Sequence, residues 1–323
     1  MHAFPASRKA TTRRGFCLCC VLAAGASESG WLTPRGAFAQ ARGIVDGIRA
    51  AAAETPLTVH RLRGAVSVLE GSGGNIAVLA GTDGKLLVDA GITASRPRKE
   101  EALTALGREP IRHLINTHWH FDHADGNAWI AETGATITAH ENTRKYLAMT
   151  QRVEDWNFDF PPAPLTALPS RTVRAEHAMR LNGASLMLRP YGPAHTDSDL
   201  AVTFVEADIL HTGDTFWNGV YPFIDYSTGG SIDGTIAAAE ANLRAATIST
   251  IVIPGHGPLG TRRDLQDFRD MLVAIRANVA RLKQQGRSMQ ETLAARPTEA
   301  HDGRWGNFVI GPEFFTRLVY MGV

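Results

Sequence analysis

The sequence predicts an α/β layered fold in which two β-sheets lie face to face with helices outside. Three features predict it. Strand-like and helical segments alternate through the first half, the second half restarts with its own strands and helices after residue 170, and the polar clusters fall where strands end.

The elements follow in order. "LTVHRL" (57–62), "AVSVLEG" (65–71), "NIAVLAG" (75–81) and "KLLVDAG" (85–91) are short apolar runs rich in β-branched residues, with a Thr82-Asp83-Gly84 turn between the last two. A helix is expected over residues 96–106, then the strand "IRHLIN" (111–116), a helix starting near Asp125, the strand "ATITAH" (135–140) and a helix around 142–149. Residues 150–170, with Trp156, Phe158, Phe160 and several prolines, read as a surface loop with aromatic tips. The aromatic run 156–160 is either a mobile flap over a site or a patch held against the sandwich.

The second half opens with "HAMRLNGASLMLRPYG" (177–192), whose Asn182-Gly183 pair is a strong hairpin signal because both residues tolerate positive φ. Strands at "LAVTFV" (200–205) and "DILHTG" (208–213) come next. A Gly-rich loop, a helix over 236–246 and the strand "TIVIPGHG" (250–257) follow. Amphipathic helices over 263–285 and 313–320 close the chain.

Composition excludes some classes of function. The chain holds 33 Lys+Arg against 32 Asp+Glu, so no basic field argues for nucleic acid. The N-terminus reads as an export signal: Arg13 and Arg14 precede an apolar run at 16–26, and Ala37-Phe38-Ala39 offers a small-x-small cleavage site. Residues 1–39 carry five basic side chains and one acid, so their removal leaves 28 basic against 31 acidic. The pattern is that of a bacterial twin-arginine signal, with a general secretory signal as the alternative. Eleven apolar residues do not span a bilayer of ~30 Å, so no stable membrane anchor is expected. Cys17, Cys19 and Cys20 all fall in the signal, which leaves the mature chain without a thiol nucleophile or thiolate ligand. The expected address is the periplasm. Nothing in the sequence decides the oligomeric state.

The chemistry lies in "INTHWHFDHADGN" (115–127). His118, His120, Asp122 and His123 hang from the C-terminal end of a predicted strand. In an extended or tightly turned segment His118 and His120 project to one side and can share a cation, while Asp122 and His123 continue the turn towards a second. Imidazole and carboxylate suit a borderline ion such as Zn²⁺. Three further candidates stand at other strand–loop junctions: His195 in "GPAHTDSD", Asp214 in "LHTGDTFW" and His256 in "IVIPGHGP". Junctions of one α/β fold converge on one edge. His118, His120 and His195 would then hold one ion and Asp122, His123 and His256 the other, with Asp214 bridging.

"THWHFDHADGN", "AHTDSD", "HTGDTF" and "IPGHGP", in this order and spacing, resemble the metallo-β-lactamase superfamily over about residues 57–260. The resemblance implies an αββα four-layer sandwich with a binuclear zinc site at one edge of the sheets, two Zn²⁺ per chain, and the seven residues above as ligands. With the residue readings above, one domain is expected over 57–323 with C-terminal helices, after a signal at 1–39 and a linker at 40–56. Asp214 stands where zinc β-lactamases proper usually carry Cys or Ser, and a bridging Asp is similar to glyoxalase II, lactonases and related hydrolases. The expected activity is hydrolysis of an ester, thioester, lactone or lactam carbonyl of a small molecule. Two zinc ions would lower the pKa of a shared water to around 7, and Asp122 would orient that water and take its proton. The runners-up on the same fold are a β-lactamase proper and a mononuclear iron enzyme similar to sulfur dioxygenases.

Among the remaining polar residues, Asp89 in "LLVDAG" resembles the superfamily's carboxylate that holds a ligand histidine. His140 and His211 are expected to pack beside the site. His60, His113, His177 and His301 are expected exposed or structurally bonded. Trp119, Phe121, Trp217, Tyr221 and Phe223 either line an apolar pocket or fill the core.

Overall fold

The structure, a computed structural model, describes residues 34–323. The Arg13-Arg14 pair, the apolar run 16–26 and the three cysteines lie outside the described residues. Among the described residues no helix is long and apolar enough to cross a membrane.

Two sheets form the centre. The first has seven strands: β1 (Thr58–Arg61), β2 (Val66–Glu70), β3 (Ile76–Leu79), β4 (Lys85–Val88), β5 (Ile111–Ile115), β6 (Thr136–His140) and β9 (Arg171–Val173), paired in that order. The β1–β4 pairs are antiparallel, and β5, β6 and β9 add in parallel. The second sheet has the order β10 (His177–Leu181), β11 (Ala184–Pro190), β12 (Leu200–Phe204), β13 (Ile209–His211), β14 (Ile251–Ile253). The β10–β11 turn is the expected hairpin, with Asn182 at φ 53° and Gly183 at φ 75°.

Period-2 alternation explains why both faces of these strands are apolar. Val66, Val68, Ala77, Leu79, Leu86 and Val88 pack against Leu186, Leu188, Leu200, Val202, Phe204 and Ile209 of the other sheet, which forms the inner core. Their neighbours Leu69, Val78 and Leu87 face outward, onto Ala102 and Leu103 of α2 (Arg96–Ala105) and Trp129 and Ile130 of α4 (Asn127–Ala131). On the second sheet Ala201 and Leu210 face Ala238 of α6 (Ile232–Ala245). Helix, sheet, sheet and helix therefore stack in four layers.

Several segments differ from the sequence expectation. Of residues 40–56, expected as a linker, 40–54 belong to α1 (Pro34–Glu54), along which Val45, Ile48 and Ala52 recur at helical spacing. Val45 and Ala52 are fully buried there. The expected cleavage triplet 37–39 falls in this helix. The helix expected near Asp125 is two short ones, α3 (Phe121–Ala124) and α4, with Gly126 between them.

Residues 150–170 are not a plain loop. After α5 (Glu141–Leu147), β7 (Gln151–Val153) pairs with β8 (Phe158–Phe160), and Asn157 turns the hairpin at φ 44°. The hairpin buries Val153 and Phe160 and leaves Trp156 and Phe158 half-buried. After α7 (Arg262–Gln284), two helices were missed ahead of α10 (Pro312–Gly322): α8 (Met289–Ala294) and α9 (Glu299–Trp305). The first had a readable signal, since Ser288 and Glu291 form a capping box.

Candidate metal centre

The ends of β5, β11, β13 and β14 meet at one edge of the sandwich. β5 delivers His118 and His120 on an extended turn, and α3 then carries Asp122 and His123. His195 lies in the turn before β12, which is tied down by Asp199 Oδ2 accepting from the backbone N–H of His195 at 2.8 Å and of Thr196 at 3.1 Å. Asp214 follows β13 and His256 follows β14. Those two junctions are fastened together by the Gly255 N–H, which donates to Gly213 O at 2.9 Å. Two glycines are required by close approach. A Cβ on Gly74 would lie 2.2 Å from His123 Cε1, and one on Gly255 would lie 1.9 Å from Asp214 Oδ1.

The seven side chains fall into two nests. His118, His120, His195 and Asp214 converge in one, and Asp122, His123 and His256 in the other. Asp214 reaches both. Its Oδ2 lies 3.4 Å from His195 Nε2 and 3.4 Å from His256 Nε2, while Oδ1 is 3.0 Å from His123 Nε2. Asp122 Oδ2 is 3.2 Å from His256 Nε2.

Hydrogen bonds fix which nitrogen faces inward in four of the five rings. His123 Nδ1–H donates to Asp89 Oδ2 at 2.8 Å, and His195 Nδ1–H donates to the carbonyl of Phe223 at 2.8 Å, so both present Nε2. The Thr117 hydroxyl donates to Asp89 Oδ2, so it accepts from His118 Nδ1 at 3.1 Å, and His118 also presents Nε2. His120 is reversed: its Nε2–H donates to Asp225 Oδ2 at 3.0 Å and its Nδ1 faces inward. Asp89, at φ 68°, therefore orients one ring in each nest, His123 directly and His118 through Thr117. Asp225 is a positioning residue that sequence reading missed. Its local signal is only a turn, with Oδ1 accepting from Ser227 N–H, and its contact with His120 is 105 residues away in sequence.

The donor set fits a cation. His118 Nε2 is buried without a hydrogen-bond partner, a costly state unless something else binds it. His120 Nδ1 and His195 Nε2 face each other at 2.8 Å, as ring nitrogens aimed at a shared point do. Electrostatics separate the nests. Burial holds the His118 imidazolium well below its usual range and brings His195 down to about 4. In the other nest burial is overcome: Asp214 and Asp122 raise His256 to about 9, and Asp214, Asp122 and Asp89 raise His123 well above its ordinary value. Burial alone would push Asp122 up, but His123 and His256 bring it down to about 2.

The other expectations sort by position. Phe121, Trp217 and Phe223 line the cavity over the nests, whereas Trp119 and Tyr221 are buried in the core packed behind it. His211 is buried with Nε2 on the Asn75 carbonyl at 3.0 Å, and His140 caps α5. His60 pairs with Glu70 at 2.7 Å.

An αββα sandwich with a buried His/Asp cluster of metal-binding composition at its sheet edge is a metallohydrolase architecture. Residues 69–260 match the metallo-beta-lactamase superfamily, more than half of the chain, and the chain belongs to that superfamily. Among curated proteins no sequence matches it. Solved structures share the fold. A metallo-beta-lactamase from Pontibacter korlensis aligns at 19% identity over 67% of this chain and 99% of its own, with TM-score 0.54. A B3 metallo-beta-lactamase with an active-site glutamic acid aligns at 23% identity over 74% and 96%, with TM-score 0.57. A stereoselective inverting sec-alkylsulfatase from Pseudomonas sp. aligns at 16% identity over 85% of this chain but only 52% of its own length, with TM-score 0.61.

Proposed function

We propose that this chain is a binuclear zinc hydrolase that cleaves an ester, thioester, lactone or lactam carbonyl of a small molecule. The observation that carries the reading is Asp214, whose two oxygens reach the ring nitrogens of both nests. His118, His120 and His195 would hold one ion, Asp122, His123 and His256 the other, with Asp214 between. Zinc bound there supplies a Lewis acid and lowers the pKa of a coordinated water to about 7.

The chain's own groups do the rest. Asp89, Asp225 and the Phe223 carbonyl hold the imidazoles in the tautomers that leave a lone pair facing inward. Asp122 borders the cavity and stays ionised, so it accepts a hydrogen bond from the attacking water. The export-type N-terminus supports work in the periplasm, with two ions acquired before or after export.

A hydrolysis panel of β-lactam, thioester, lactone and phosphodiester probes, with and without chelator, tests this. Chelator-sensitive turnover of a carbonyl probe is expected. No such turnover sinks the hydrolase reading, and one iron per chain in metal analysis overturns the zinc assignment.

A further inference from the structure

The nests open into a cavity of about 680 Å³. That is far more room than water and a carbonyl need, and within the range that holds a drug-sized ligand. Its wall is apolar and begins at the ligands themselves. The Phe223 ring lies 6.0 Å from those of His120 and His195, and Phe308 lies 6.2 Å from that of His256. Outward from there Trp156 packs edge-on to Phe223 at 5.2 Å, and Phe160 closes the hairpin side. Ile48 of α1 and Val309, between α9 and α10, complete the enclosure.

Ile48, Phe308 and Val309 all lie outside residues 69–260, the part that matches the superfamily. The wall begun by Phe223, Trp156 and Phe160 inside the matched region is therefore completed by segments on both sides of it.

The charges on the wall are already committed. Apart from Asp122 and Asp214, the charged side chains among the described lining residues are Glu70 and Arg304. Glu70 Oε2 lies 2.7 Å from His60 Nε2. Arg304 donates to Asp267 at 2.8 Å and lies 3.5 Å from Asp264. Arg304 is the only lysine or arginine among the described lining residues and is already paired, and Glu70 would repel a substrate carboxylate.

We infer that the substrate is a neutral ester or lactone with a bulky apolar acyl group, seated between α1, the β7–β8 hairpin and the α9–α10 connection while its carbonyl meets the metal nests. This rests on the hydrolase reading above. The reaction is ordinary hydrolysis: the water oxygen bonds to the acyl carbon, the acyl–oxygen bond breaks, and the departing alcohol oxygen gains a proton.

The test is a series of p-nitrophenyl esters from acetyl to octanoyl with zinc-loaded protein, plus the adipoyl ester, whose acyl chain ends in a carboxylate. Transfer of each methylene to an apolar wall should raise kcat/KM about twofold or more, giving on the order of 50-fold from acetyl to octanoyl. The adipoyl ester should fall at least about 10-fold below the hexanoyl ester. Trp156→Ala should compress the acetyl-to-octanoyl ratio, with KM carrying most of the change.

A flat series, or an adipoyl ester that matches hexanoyl, overturns the inference while leaving the hydrolase reading intact. If no ester turns over, binding decides it separately. N-methyloctanamide should change the tryptophan fluorescence at concentrations at which N-methylacetamide does not, and equal effects of the two overturn the inference.

Discussion

Asp225 Oδ2 lies 3.0 Å from Nε2 of His120, and the same loop places the Phe223 carbonyl 2.8 Å from Nδ1 of His195. One loop after β13 thus orients two of the three imidazoles of one nest. Its Phe223 ring also forms part of the substrate wall, so metal binding and substrate shape share a support.

Replacing Asp225 by Asn or Ala should weaken zinc at that nest by about 10–100-fold, the usual cost of losing a partner of a ligating histidine. Zinc competition against a chromophoric chelator reads this directly. The other nest has its own support in Asp89 and should keep its affinity. Equal weakening at both sites would assign Asp225 to the loop's fold and not to His120.

Asp214→Ala should remove the bridge and cost most of the activity. Gly255→Ala should do similar damage without touching a ligand, because its Cβ would lie 1.9 Å from Asp214 Oδ1. Metal analysis after dialysis should find less than the full zinc complement in both variants. Circular dichroism should show the sandwich retained in Asp214→Ala. Full metal content and activity in Gly255→Ala would mean that Asp214 does not need its present position.

Protons should distinguish the two ions. In the metal-free protein burial favours the neutral forms of His118 and His195, while Asp122 and Asp214 favour the protonated forms of His123 and His256. Zinc at the first nest meets His118 and His195 in their favoured neutral form, whereas zinc at the second competes with the protons favoured on His123 and His256. Calorimetry in buffers of different ionisation enthalpy should therefore assign proton release to one equivalent of zinc. That equivalent should tighten as pH rises towards 9, and equal release with both would refute the separation. The sign for the metal-free fold is opposite. His256 is raised from 6.5 to about 9, so the stability it contributes is full below pH 6.5 and lost as pH rises through about 9.

Lys99 gives the fold a second pH dependence away from the metals. It is almost fully buried, with Nζ donating to the carbonyls of Ala90 at 2.6 Å and Ile92 at 2.8 Å. Burial lowers it from 10.5 to about 7, against the pull of Asp125. The unfolded chain keeps this proton up to pH 10.5, so between about 7 and 10.5 folding stability should rise with pH. The slope is at most ~1.4 kcal/mol per pH unit. Urea unfolding of wild type and Lys99→Met across that range should show the slope only in wild type, and parallel curves would contradict it.

The strands and the ligand candidates were legible because both are written locally. Val66, Val68, Leu86 and Val88 alternate with a period that needs no distant partner to be read. His118, His120, Asp122 and His123 are neighbours in sequence, and His195, Asp214 and His256 each stand beside turn residues at a strand end. The misreadings share the opposite property. The hairpin over 151–160 looked like a loop because its three-residue strands are too short to alternate visibly, and Val153 and Phe160 become buried only against other elements. Residues 40–54 looked like a linker because a helix rich in Ala and Gly, with only a sparse apolar stripe, has little to show without the surface it covers.

By itself the sequence determined the layered α/β class and the seven side chains that face one another, since strand period, turn chemistry and ligand spacing all act within a few residues. Only the tertiary structure decided which nitrogen each histidine presents, that Asp225 backs His120, and that α1 and the α9–α10 connection wall the cavity. Those outcomes depend on residues up to about 260 positions apart lining one cavity, such as Ile48 and Val309. No local pattern encodes contacts of that range, because they exist only once the intervening chain has folded and its entropy of closure has been met.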